Sequence, residues 1–97
     1  MYKLLLFLKK TDEKQVVEHF KEFTLKYLSE LARQEIKAGK IESSLLLDKK
    51  YTLFCELETS SKEEMDHLLT TKAGKEFNND LMSFHEHVDI IFVDYEK

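Results

Sequence analysis

Glu56 stands among Leu53, Phe54, Cys55 and Leu57, so a strand through this segment is expected to carry its carboxylate toward a partly dry interior. A carboxyl held away from water has a raised pKa and suits general-base work; at a sheet rim the same residue would simply pair with a lysine such as Lys3 or Lys40. Tyr27 falls on an apolar repeat and offers a hydroxyl to a ligand oxygen or to a structural partner. His19, beside Phe20 and near Phe23, has an imidazole whose ordinary pKa near ~6.5 suits a proton shuttle, or else sits idle at a helix border. Phe20, Phe23, Phe77 and Phe84 are candidate ligand-lining aromatics, with plain core packing as the alternative.

His85 and His87, with His67 upstream, have the donors for zinc. Residues two apart share a side only in an extended chain, and no cysteine or carboxylate spacing completes a ligand set, so no metal is assigned. Cys55 lacks a neighbouring histidine or base to lower its pKa and reads as a small buried hydrophobe. Gly39 and Gly74 lie outside any phosphate-binding pattern. No cofactor is expected.

Few elements are available to position these groups. Tyr2–Lys9 is a short apolar run with the length of a strand. Asp12 with Gln15 has capping-box spacing, and Val16, Phe20, Phe23, Tyr27 and Leu31 then mark one helix face. Gly39 suits a left-handed cap after that helix. A rod over Asp12–Lys37 would measure about 39 Å at ~1.5 Å per residue, against about 27 Å for the strand, so it should overhang or bend near Arg33–Ile36. Lys40–Leu47 and Tyr51–Glu58 read as strands joined by a tight loop at Asp48-Lys49-Lys50. Ser60 with Glu63, or Ser61 with Glu64, opens a second helix that Gly74 should interrupt, and Val88–Tyr95 is a final strand. The order β-α-β-β-α-β favours a ferredoxin-like α+β fold, a four-stranded antiparallel sheet with both helices on one face.

The chain of 97 residues, 42% apolar and 35% charged, fits one small domain over 1–97. Its 15 basic and 19 acidic residues give a net charge of −4, with no basic block to hold a phosphate backbone or an anionic bilayer. Neither nucleic acid nor membrane is an expected partner. A single cysteine forms no internal disulfide, and the run Leu4–Leu8 is too short for a leader or a membrane span, so a cytoplasmic location is expected. The apolar positions break the alternation that a sheet with one wet face requires. Leu4, Leu6 and Leu8 fill one parity of the first strand while Leu5 and Phe7 fill the other, and Ile90/Phe92 with Ile91/Val93 repeat this in the last. A second copy packed on the open face would bury the surplus, and a two-fold homodimer is the expected assembly.

Phe54-Cys55-Glu56-Leu57 resembles the strand ending in Ala-Glu-Leu of the EthD-like proteins, members of the dimeric α+β barrel superfamily. Ser61-Lys62-Glu63-Glu64-Met65 resembles their second helix start, and Gly74-Lys75 followed by Asp80-Leu81 and Phe84 is similar to their Gly-Gln/Lys stretch leading to Asp, an apolar residue and Phe. Where that family often carries His-x-Pro-Leu, this chain has Leu25-Lys26-Tyr27-Leu28-Ser29, placing Tyr27 near the missing histidine. The resemblance implies a homodimer with a shared barrel and a small apolar cavity between sheet and helices. Its relatives include degradation-type monooxygenases, isomerases and cyclases that work without a bound cofactor. The expected function is binding or transformation of a small apolar or aromatic molecule, with a non-catalytic homodimeric ligand-binding or interaction module as the alternative. Single-stranded RNA binding is disfavoured by the acidic Tyr51–Glu58 segment.

Overall fold

The computed structural model describes residues 1–43, 45 and 50–95. β1 (Tyr2–Lys9) occupies the middle of the sheet, antiparallel to β3 (Tyr51–Thr59) on one side and to β4 (Val88–Asp94) on the other. β2 (Gly39–Lys40) pairs with the outer edge of β3, giving the order β2-β3-β1-β4. This is the ferredoxin-like arrangement that the element order favours. Leu4, Leu6 and Leu8 are fully buried and face Leu57, Cys55 and Leu53 across one register, so the even parity of β1 is the helix side. Phe20, Leu28, Met65 and Phe77 close over them. Each such side chain removed from water contributes about 1.5–3 kcal/mol.

The first helical stretch comprises α1 (Lys14–His19), a π-helical segment at Phe20–Thr24 and α2 (Leu25–Ala32). Two expectations about its ends are corrected. Glu13, not Asp12, holds the N-cap position and makes no side-chain cap, while the Thr11 hydroxyl accepts the Glu13 N–H at 3.1 Å. Asp12 lies one residue too early for its carboxylate to cap. At the far end Arg33 adopts the left-handed conformation, φ 56°, and Gly39 has instead become a β2 residue opposite Phe54. The helix ends where its apolar repeat runs out, and the Ser29 hydroxyl secures the exit by accepting the Ile36 N–H at 3.0 Å. This falls at the stretch expected to bend.

The strand expected over Lys40–Leu47 is corrected: β2 is only Gly39–Lys40, and although the Ile41 N–H still donates to the Thr52 carbonyl at 3.0 Å, residues 41–43 leave the ladder. Ser44 and 46–49, including the expected loop residues Asp48 and Lys49, lie outside the described residues.

The second helical stretch breaks at Thr71 into α3 (Lys62–Thr70) and α4 (Lys72–Ser83). Ser61 caps α3 by accepting the Glu64 N–H at 3.2 Å, while the Glu64 carboxylate reaches back to both the backbone and the hydroxyl of Ser60. Those Ser60 hydrogen bonds hold the Glu64 carboxyl below its usual range. Thr71 caps α4 by accepting the Gly74 N–H at 3.1 Å. Gly74 is therefore not the break but the residue that lets the two helices meet: a Cβ there would stand 2.4 Å from the Leu68 carbonyl oxygen. A 3₁₀ turn, His85–His87, leads into β4.

On the other face Leu5, Phe7, Phe54 and Val93 are half-buried and Ile91 is exposed; none of them packs against the helix-side core. Both faces of the sheet are apolar, as the broken alternation requires.

Candidate functional site

Among the described residues, side chains fill the middle of the sheet–helix layer. Phe20 and Phe77, two of the four aromatics expected to line a ligand cavity, have at most 1% of their surface exposed and serve as core. Room for a ligand exists at the two edges of the layer, beside β4 and beside β2.

At the β4 edge a groove of about 480 Å³ runs between α4 and the last strand. Its apolar lining includes Leu81, Val88, Ile90 and Phe92, with the flank of Phe77 at its base. Ile90 and Phe92 belong to the helix-side parity of β4, yet they remain 38% and 43% exposed because no described helix extends over them. Asn78 and His85 stand among the polar lining groups. The His85 Nδ1 lies 3.2 Å from the Met82 carbonyl, an oxygen that can only accept, so the tautomer that makes this hydrogen bond is the one with the proton on Nδ1 and a free lone pair on Nε2. The groove thus combines an apolar, aromatic-bearing floor with a small number of polar groups and one histidine, the usual make-up of a small-molecule site.

His19, Phe23 and Phe84 come together elsewhere, on the helix layer. The His19 ring packs at 5.2 Å from Phe23 and at 4.6 Å, edge-on, from Phe84. Its Nε2 meets Asp80 Oδ1 at 2.6 Å, and the buried Thr24 hydroxyl donates to Asp80 Oδ2 at 2.7 Å. The π-helical segment makes this possible. In an α-helix residues five apart are separated by about 140° around the axis, whereas the wider π turn, closed by Leu25 N–H on the Phe20 carbonyl, rotates His19 and Thr24 toward one carboxylate. An activated nucleophile would have to donate to the imidazole; Thr24 donates to the carboxylate instead. As placed, the trio joins the π segment and α4 around a buried charge. Thr24 escaped the sequence reading, and Asp80 entered it only within the EthD-like motif and not as a site residue, although it interrupts the apolar stripe Phe77-Leu81-Phe84, a pattern that signals a buried acid in need of partners.

Glu56 projects from the open face of the sheet, 45% exposed, and its carboxylate lies 3.5 Å from the Lys3 ammonium. That corrects the expectation of a dry interior and matches the alternative, a pair with Lys3: residue 56 has the opposite parity from Cys55 and Leu57, which take the helix side. Tyr27 is half-buried on α2 and packs against the core, away from the groove beside β4. Cys55 is buried behind the sheet, and burial, helped by the nearby Glu56 charge, pushes its thiol up to about 12. Near the other end of the open face Phe7 packs on Tyr51 at 4.9 Å and on Phe54 at 5.0 Å. Tyr51 donates to Asp89 at 2.7 Å, a hydrogen bond that raises the phenol's pKa. His67 lies on α3, apart from His85 and His87, and among the described residues no three histidine, cysteine or acidic side chains gather to hold a metal ion.

No family model matches the chain, and no curated protein sequence matches it at a significant level. Solved structures share its fold. An ethyl tert-butyl ether D (EthD) family protein of Bacillus halodurans aligns with a TM-score of 0.75 and 22% identity, covering 99% of each chain. A protein of Arabidopsis thaliana, in its crystal structure, aligns with a TM-score of 0.64 and 22% identity over 100% of this chain and 95% of its own. The solution structure of that same Arabidopsis thaliana protein aligns with a TM-score of 0.56 and 22% identity over 99% of this chain and 87% of its own.

Proposed function

We propose that this chain acts as a homodimer that binds a small apolar or aromatic molecule in the groove between α4 and β4, with His85 available to take a proton from it and no bound cofactor required. The groove itself carries the reading: its volume of about 480 Å³ falls in the range of small-molecule pockets, and Ile90 and Phe92 offer apolar surface that a ligand would remove from water. The EthD-like fold supports a small-molecule role of this kind, and the resemblance in sequence motifs implies degradation-type oxygenation, isomerisation or ring closure as its chemistry. The apolar open face supports the dimer. Titration with 2-naphthol, followed by amide chemical shifts, tests the site. Shifts centred on Leu81, Val88, Ile90 and Phe92 are expected; a ligand that perturbs none of them at millimolar concentration overturns the assignment.

A further inference from the structure

The opposite edge of the layer has a different character. Between α1, α2 and the β2–β3 edge lies a cleft of about 850 Å³ with an apolar floor of Val17, Leu25, Ile36 and Leu53. Around it stand four lysines, Lys21, Lys26, Lys37 and Lys40, against two glutamates, Glu22 and Glu35. That is an excess of two positive charges on a chain whose net charge is −4. Among the described residues none of the four ammonium groups lies within ion-pair distance of a carboxylate; the lysine ion pairs there belong to Lys3 and Lys9. The lysines come from three separate stretches, the π segment, α2 and the chain from Lys37 into β2, so the fold gathers charge that is dispersed in sequence. Two hydroxyl residues, Ser29 and Thr52, also line the cleft, and Ser29, having accepted the Ile36 N–H, keeps its own proton to donate.

We infer that this cleft is a second binding site, distinct from the β4 groove, for a small molecule with an apolar body and a single carboxylate head. The body lies on the Val17–Leu25–Leu53 floor and the head meets the lysine rim. Lysines on flexible stems attract the anion as point charges, and the low-dielectric floor beside them strengthens that attraction relative to open water.

The test compares 4-phenylbutyrate with its neutral isostere 4-phenylbutanamide, using amide shifts of Val17, Leu25, Ala38 and Leu53 to read the cleft. The acid is expected to bind there at least ~10-fold more tightly than the amide, and more weakly as salt rises. In the Lys26→Gln/Lys37→Gln variant the preference should fall toward unity. Equal binding of acid and amide in the cleft, salt-independent binding of the acid, or shifts confined to the β4 groove would each overturn the inference. The salt series needs no variant, so it decides the matter even if the double substitution perturbs folding.

Discussion

At the scale of single residues, the most consequential group is the Asp80 carboxylate, buried and shared by His19 and Thr24. Removing it in Asp80→Ala leaves a buried hydroxyl and a half-buried imidazole without their acceptor, an expected loss of about 1–3 kcal/mol in urea denaturation. Asp80→Asn, which can still accept from Thr24, should lose less. Cys55 makes a second prediction. Its thiol stays protonated in the folded state up to about 12, whereas in the unfolded chain it ionises near its ordinary value of 9.0. Folding therefore favours the protonated form: stability is unaffected by this group below about pH 9 and falls as pH rises toward 12, by up to ~1.4 kcal/mol per pH unit. Urea midpoints between pH 8 and 11 should decline more steeply for the native sequence than for Cys55→Ala. The sequence identified Cys55 as buried because apolar neighbours alone imply it. It left Glu56 open between a dry interior and a pair with a lysine such as Lys3, because strand parity, which decides between interior and open face, cannot be read where both parities are apolar.

At the scale of elements, the helix boundaries separate what pattern can reveal from what it cannot. Apolar spacing was enough to locate the helices and the strands β1, β3 and β4, whereas of the strand expected over Lys40–Leu47 only Lys40 lies in β2 among the described residues. The break at Thr71 depended on contacts between turns and the end at Arg33 on a left-handed cap at a residue other than glycine, so glycine, the usual punctuation, pointed to the wrong residues in both cases. The π segment left no trace at all in the apolar repeat. Gly74→Ala is expected to cost about 1–3 kcal/mol, since the new methyl would collide with the backbone at Leu68 and Leu69 and force α3 and α4 apart. The opposite outcome is expected at Arg33, whose left-handed backbone burdens a side chain that glycine lacks. Arg33→Gly should stabilise by about 1 kcal/mol, seen as a higher urea midpoint with an unchanged slope.

At the scale of the whole molecule, the two faces of one sheet divide the work. The helix side holds the core and opens at its edges into the two candidate ligand sites; the other side leaves Leu5, Phe7 and Phe54 half-buried and Ile91 exposed, the surface that the proposed dimer would cover. Leu5→Glu should turn a particle of about twice 11.6 kDa into a folded monomer in sedimentation equilibrium at micromolar concentration. A native chain that already sediments as a monomer would remove the dimer from the functional model. This doubly apolar sheet was the part of the design most legible in the sequence. The lysine-rimmed cleft was illegible there, because its charges converge only after the chain has folded.

The central place of β1 also governs how this molecule comes into being. Its two hydrogen-bonding flanks are claimed by β3 and β4, both from the distant half of the chain. Helical turns can flicker into existence within their own neighbourhoods, but no ladder on β1 is rewarded until long loops have closed, so collapse to the native sheet should lag well behind local order. Once locked between its neighbours, that strand should hold the slowest-exchanging amide protons in the protein, released only when the entire structure opens.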